Sequence, residues 1–408
     1  MALLLEDFLL FNGESDVTDE RYHLIIDDGK IKEISTRPIR TATATTLRLG
    51  GRFVMPGLID AHFHAYGASL DISAIDHTLP SLRALQARIH LEEALLRGFT
   101  TVRDAGGADM GLVLATQRGL IRGPRIFPAG LGLSQTGGHG DMRAPDHYSV
   151  CSCAYRGAMF LVADGPDEVR KHVRDQFRHG ATQIKLFVSG GVLSPSDPLW
   201  MNQFTDEEIR AAVYEASTRR SYVMAHAHTA EAAKRCVRNG VRSIEHATIL
   251  DREGAQLIAD HEAFAVPTLA VIDSVLELGP SLGLPADQLG KAREVSSHAL
   301  TSLDYLRSAD AQIGFGTDLL GDTRTRQSSE FRLRLRVMSP LEILRSATSV
   351  NAALLNMTGE LGVVAPGACA DLLVIDGNPF DDLTVMERHE RIVAIMKGGE
   401  FVKYSLSI

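Results

Sequence analysis

The chain has 408 residues, 45% of them hydrophobic, and a formal net charge of −9 with acidic and basic residues mixed throughout. That length and apolar content can bury a large core, one barrel plus one small domain accounting for it. The charge balance argues against a nucleic-acid partner, and no apolar run is long enough to cross a bilayer. Four cysteines in so long a chain are no disulfide framework.

In chain order, LLLEDFLLFNG, YHLIIDDGKIKEIS and TTLRLGGRFVMPG read as short strands, with a turn at the DG pair. Residues 3–11 lack a basic lead and are broken by Glu6 and Asp7, which disfavours a signal peptide, so a cytoplasmic location and no membrane association are expected. Apolar, β-rich runs follow at GLIDAHF, TTVRDAG, RIFPAG, QIKLFVS, YVMAHAH, SIEHAT, AFAVPTL and IGFGTDLL. Amphipathic stretches of helical length lie between most of them, among them LRALQARIHLEEALLRG, GPDEVRKHVRDQFRHG, TDEEIRAAVYEASTRR and DREGAQLIADH. Eight such units predict an α/β protein, a (β/α)8 TIM-like barrel over residues 57–361. GVVAPGACADLLVIDGNPF and RIVAIMKGGEFV return to short strands. Neither end carries enough apolar surface to fold alone, so residues 1–56 and 362–408 are expected to combine into one small β-sandwich domain.

His62 and His64 end the first barrel run in MPGLIDAHFHAYG. Residues i and i+2 of a strand share a face, so both imidazoles point inward, and paired neutral imidazoles suit a metal. Alone, such a pair is equally two satisfied strand histidines. The rest of the chain shifts the balance: Lys185 lies in the fourth run, His226 ends the fifth, His246 the sixth and Asp318 the eighth. In a (β/α)8 barrel, chemistry sits at the strands' C-terminal ends, which places all six at one mouth. Lys185 in QIKLFVSGG is an ammonium inside an apolar strand, where lysine readily loses its proton. By itself it reads best as half of an ion pair. Beside four histidines and an aspartate, the better reading is a neutral amine that takes up carbon dioxide, an N6-carboxylysine able to bridge two metal ions.

These motifs, PGLIDAHFH, GFTTVRDAGG, SQTGGHGDMR, TQIKLFVSGGV, AHAHT, SIEHAT, VPTL and GFGTDLLGD, resemble those of the amidohydrolase superfamily along nearly the whole chain. Within it they look like the binuclear-zinc branch of Xaa-Pro dipeptidases (prolidases) and their imidazolonepropionase-like relatives. The resemblance implies that His62, His64 and Asp318 hold the more buried of two divalent metals and His226 and His246 the more exposed, with carboxylated Lys185 between. Zinc suits these ligands, as do cobalt and manganese. It implies a hydrolase of dipeptides or N-acyl amino acids, Xaa-Pro foremost, that uses a metal-bridging hydroxide with Asp318 as proton shuttle. Another C-terminal residue, or a cyclic amide or lactone, is the alternative substrate. A scaffold that has lost catalysis is the other alternative, though such a protein would be expected to lack ligands. A small-molecule or dipeptide substrate and a homo-oligomeric assembly follow from the same resemblance.

His139, in the GGHGD of a long loop spanning residues 131–165, is a candidate contact to the substrate carboxylate. His228 is the second substrate candidate, since it shares the face of His226; many relatives have tyrosine there. Cys151 and Cys153 in that loop read as free thiols. The arginines from Arg324 to Arg336 read as a solvated or subunit-interface helix, given the interleaved Leu333, Leu335 and Val337.

Overall fold

The computed structural model describes residues 2–15, 19–143, 156–194 and 197–406; Cys151 and Cys153 lie outside them. The first five strands are β1 (Leu3–Leu10), β2 (Tyr22–Asp27), β3 (Lys30–Ser35), β4 (Thr45–Arg48) and β5 (Phe53–Pro56). The turn between β2 and β3 is made by Asp28 and Gly29, both at positive φ, as a two-residue hairpin requires. Leu3–Glu6 of β1 pair with β2 and β4, whereas Leu9 and Leu10 pair with β5. Between these two halves Asp7 sits at φ 60, at a register shift that bends the strand.

The last three strands, numbered β16 to β18 after the ten parallel ones below, return to this sheet: β16 (Leu372–Ile375), β17 (Ile392–Lys397) and β18 (Glu400–Tyr404). Val54 of β5 stands opposite Val374 of β16 in antiparallel register. The sheet therefore runs β18-β17-β16-β5-β1-β2-β3, with β4 beside β1. Leu5, Phe8, Leu24 and Ile31 from the first strands share a buried apolar cluster with Leu372, Val374 and Met396 from the last.

Pro56 and Gly57 lead straight from this sheet into ten short parallel strands: β6 (Leu58–Phe63), β7 (Phe99–Asp104), β8 (Arg125–Pro128), β9 (Gly132–Ser134), β10 (Phe160–Val162), β11 (Ile184–Phe187), β12 (Val223–Thr229), β13 (Ser243–Ile249), β14 (Phe264–Val266) and β15 (Gln312–Ile313). They form one sheet of order β6-β7-β8 and another of order β10-β9-β11-β12-β13-β14-β15. At one seam the Thr182 amide donates to the Pro128 carbonyl, and Gln183 Nε2 donates to the carbonyls of Asp104 and Phe127. At the other, the amides of Ala61 and Asp318 donate to the carbonyls of Phe315 and His62, each at 2.8 Å. The strands β9 and β10 are additions to the eight runs expected from sequence; at three residues each they carry too little apolar pattern to register.

Helices follow the anticipated amphipathic stretches, at Pro80–Leu96, Pro166–Arg178, Asp206–Ser217 and Arg252–Asp260. The third opens on a capping box, Thr205 and Glu208 satisfying each other's backbone amides. In the arginine-rich stretch Arg332 and Arg336 are exposed, but Arg334 turns inward. Arg334 is fully buried, its Nε 2.7 Å from Glu330 Oε1, with Nη1 and Nη2 donating to the carbonyls of Gly314 and Pro267. Phe331 and Leu333 are buried alongside it. Sequence spacing had put these arginines in water; the two carbonyls and the Glu330 carboxylate supply the partners that let one go inside.

Candidate metal centre and active site

His62, His64, His139, Lys185, His226, His228, His246 and Asp318 all line one cavity. The rest of its wall is apolar, with Met159, Phe160, Phe187, Val271, Ile272 and Leu320 among it. Five of the eight are strand residues: β6 supplies His62, β11 Lys185, β12 His226 and His228, and β13 His246, while His64 directly follows β6. Asp318 comes from the segment that hydrogen-bonds along β6, where Asp60 ties the two together. Asp60 Oδ1 accepts the amides of His62 and Thr317, and Oδ2 accepts Thr317 Oγ1 at 2.6 Å and Gln327 Nε2 at 2.8 Å. Gly316 allows this approach, because a Cβ there would lie 2.7 Å from His62 Cβ.

Each imidazole at the centre has one nitrogen engaged on the outside and the other left for the cavity. His62 Nδ1 is 2.7 Å from Glu245 Oε2, and His64 Nδ1 is 3.0 Å from the Gly106 carbonyl. His226 uses Nε2 instead, on the Gly190 carbonyl at 3.1 Å. His246 Nδ1 meets Thr268 Oγ1 and His228 Nδ1 meets Thr248 Oγ1, both at 2.7 Å. A carbonyl or carboxylate only accepts, so it fixes the proton on the outer nitrogen and leaves a lone pair inward. The inward Nε2 atoms of His62 and His64 lie 3.4 and 3.1 Å from Asp318 Oδ1.

Electrostatics agree with a site built for cations. Burial, reinforced by Lys185, lowers His62 to about 4, and burial with the His139 charge lowers His228 to about 3. His226 is held well below the ordinary imidazole value by burial and by the neighbouring His139 and His228, and His246 by burial and by His226 and His228. Burial opposes charge on His64 too, but the bond and charge of Asp318 outweigh it and raise its pKa. Asp318 resists its burial and falls to about 2 because His62, His64 and Lys185 surround it. Burial lowers Lys185 to about 8, and among the described residues no carboxylate lies within ion-pair distance of its Nζ. Lys185 is 1% exposed. Burial thus brings Lys185 nearer its neutral amine form than an exposed lysine.

The donor set fits divalent ions. His62, His246 and Asp318 bring ligand atoms within 4.8 Å of one another, and so do His226, His228 and His246. His246 belongs to both groups, as a shared wall between two sites would. Its backbone is at φ 72 and that of Asp318 at φ 56, conformations a non-glycine residue keeps only when its surroundings impose them. His228, expected at the substrate, therefore stands as near His226 and His246 as a ligand would. His139 stacks on His226 with ring centroids 4.3 Å apart, and its Nδ1 lies 2.7 Å from Ser194 Oγ and 3.3 Å from Asp197 Oδ2.

Sequence reading missed the supporting layer. Arg103 and Glu245 are both fully buried, with Arg103 Nη2 2.8 Å from Glu245 Oε1. Arg103 also donates through Nε to the Ala61 carbonyl and through Nη1 to Ser243 Oγ. The signal was present: opposite charges midway along two apolar runs, TTVRDAG and SIEHAT, have no solution but each other. The pair holds Glu245 ionised, down to about 2 against its burial.

The fold and this histidine-rich centre define a hydrolase of the amidohydrolase type. The chain belongs to the amidohydrolase family, whose pattern matches residues 53–402. Among solved structures, it is similar to a prolidase complexed with N-methylphosphonate-L-proline, at 43% identity and a TM-score of 0.96, covering 99% of this chain and 100% of that one. It is similar to an Xaa-Pro dipeptidase with bound methionine, at 31% identity and a TM-score of 0.89, again over 99% and 100% of the two chains. Ochratoxinase of Aspergillus niger is 32% identical over 367 residues, 86% of this chain and 75% of the relative. Among the described residues, no helix is long and apolar enough to cross a membrane.

Proposed function

We propose that this chain is a binuclear metal-dependent hydrolase that cleaves the amide bond of dipeptides or N-acyl amino acids, Xaa-Pro foremost. The observation that carries the reading is the single cavity faced by four histidines, a neutral-prone lysine and an ionised aspartate, each central imidazole keeping one nitrogen for it. Likeness to a prolidase holding a proline phosphonate supports proline as the departing residue. The hydrogen bonds at the two seams support reading the parallel strands as arcs of one (β/α)8 barrel over residues 57–361, and the sheet and apolar cluster shared by the two chain ends support 1–56 and 362–408 as a composite β-sandwich.

In this reading His62, His64 and Asp318 hold one ion, His226 and His246 the second, and Lys185, as its carbamate, joins them. When bound, such a pair supplies a water that ionises near neutral pH and a Lewis acid for the carbonyl. The chain's own groups do the rest. Asp318, kept ionised, accepts a proton at its carboxylate and delivers it to the departing nitrogen. A secondary amine such as that of proline needs this delivery, because unprotonated it is a very poor leaving group. His139 and His228, side by side with His226, are placed to hold the substrate's carboxylate or carbonyl. The apolar wall of Met159, Phe160 and Phe187 excludes water from the reacting bond.

The test is elemental analysis of purified protein together with a panel of Xaa-Pro, Xaa-Arg, N-acyl, lactone and cyclic-imide substrates. Two divalent ions per chain and cleavage of proline amides, abolished by chelation and restored by metal, are expected. Metal-free protein that no ion activates, or turnover of lactones or imides alone, overturns the proposal.

A further inference from the structure

The chamber around the histidines has room for little more than water-sized groups, about 50 Å³, whereas a cavity of about 570 Å³ opens directly beside it. Ile72 and Leu193 line both spaces, so the two adjoin at these side chains. That larger volume is within the range that holds a drug-sized ligand, and exceeds what one amino-acid side chain needs. Its wall mixes apolar surface, Leu70, Leu282 and Leu284 among it, with the carboxylates of Asp71 and Asp322. Among the described residues, no lysine or arginine lines it.

The dividing wall is fixed rather than loose. Lys291 Nζ donates to the carbonyls of Gly191, Ser194 and Asp197 at 2.8–3.2 Å, and Gln288 Nε2 donates to that of Leu193. These bonds pin the segment carrying Leu193 to the helix Ala286–Ser308. The outer space is therefore a standing feature of the mouth.

We propose that this outer cavity is the subsite for the acyl side of the substrate, and that it selects large, apolar, uncharged acyl groups over small ones and over acyl groups bearing a second carboxylate. The proposal rests on the amide-hydrolase reading above. With the departing residue held at His139 and His228, a group extending beyond the scissile carbonyl finds the larger space past Ile72 and Leu193. Asp71, with a smaller contribution from Asp322 because Arg324 Nη1 lies 3.6 Å from its Oδ1, makes that space unfavourable to an anion, an effect that added salt should weaken.

The experiment compares N-acetyl-, N-(2-naphthoyl)- and N-(6-carboxy-2-naphthoyl)-L-proline, with the L-phenylalanine counterparts beside them, by kcat/KM in metal-replete enzyme and by calorimetric binding. The naphthoyl amide is expected to exceed the acetyl amide on the order of tenfold in kcat/KM, and its carboxylated form to fall about fivefold. Ser73→Trp and Asp322→Trp fill the cavity from two walls, Asp322 being 83% exposed and free to change without unfolding the chain. Both should collapse the naphthoyl-to-acetyl ratio on the order of tenfold. A ratio near one in the parent enzyme, or variants that lower both substrates equally, overturns the subsite. Carboxylated and plain naphthoyl amides turned over alike overturn the charge preference. Calorimetric binding of the naphthoyl amide, weakened by both tryptophans, without turnover of any amide upholds the subsite and defeats the hydrolase reading. Neither binding nor turnover defeats both.

Discussion

Replacing Glu245 by glutamine tests whether the buried layer behind the centre sets its metal affinity. In the parent, Glu245 Oε1 takes the Arg103 guanidinium at 2.8 Å and the Ser243 hydroxyl at 2.5 Å, while Oε2 takes His62 Nδ1 at 2.7 Å. Glutamine keeps the shape but has one acceptor oxygen for these donors. If the oxygen turns to Arg103, the amide NH2 faces His62 and drives its proton to Nε2, the atom meant for the metal. If it turns to His62, two donors confront each other and Arg103 stays charged in a fully buried site. Breaking a buried pair from one side costs about 3–5 kcal/mol, and loss of a partner behind a metal-binding histidine typically costs about 10–100-fold in affinity. Denaturant unfolding in chelator measures the first and competition against a chromophoric chelator the second. The nitrogen shifts of His62 in metal-free protein report its tautomer. Ser243→Ala serves as control: it removes two charge-assisted bonds, one from Arg103 and one to Glu245, at about 1.5–3 kcal/mol each, but leaves the Glu245–His62 contact and with it metal affinity intact. Glu245→Gln protein with stability within about 1 kcal/mol of the parent and metal affinity within about twofold refutes the reasoning.

Lys185→Ala should leave the protein with at most one tightly held ion by elemental analysis; two ions with full activity refutes the carbamate. Because Lys185 lies near 8 and only its neutral form takes up carbon dioxide, metal loading of the apo-protein at a fixed concentration of dissolved carbon dioxide should speed up as pH rises towards about 8 and level off above it. A rate that falls with rising pH at fixed dissolved carbon dioxide contradicts this. His139→Ala should raise KM or lower kcat on the order of tenfold with metal content unchanged, and His228→Phe likewise; metal lost from the His228 variant would make it a ligand, as its nearness to His226 and His246 permits. Gly316→Ala should cost about 1–3 kcal/mol in unfolding experiments and lower metal affinity, since the new methyl pushes on His62 and on Val266 Cγ1; an unchanged unfolding midpoint counts against the close approach.

Much of this was legible because strands obey a period of two. His62 with His64, and His226 with His228, could be placed on one face from spacing alone, and the family they resemble is the family to which the chain belongs. What spacing could not show is where the rule fails. Glu245 and His246 are adjacent in β13, yet Glu245 binds His62 while His246 lines the cavity. The turn of the backbone at His246, with Ala247 also at positive φ, brings neighbours that should point apart to the same centre. Nor do sequence patterns reveal the outer partners of the imidazoles. These are carbonyls of Gly106 and Gly190 and hydroxyls of Thr248 and Thr268, groups common to every chain whose role depends on distances alone. Arg334 was misread for the same reason, since its partners at Gly314 and Pro267 are backbone oxygens.

The pairing of β5 with β16 sets a timetable for biogenesis. β5 leads directly into the strand bearing His62, but its antiparallel neighbour is translated more than three hundred positions later. At roughly 5–20 residues per second, that edge waits on the order of a quarter-minute to a minute with its hydrogen-bonding groups unpaired. A ribosome pause or an early stop before Leu372 would release chains whose metal-bearing strands are complete but whose first sheet lacks its closing member, making them natural clients for chaperones and proteases.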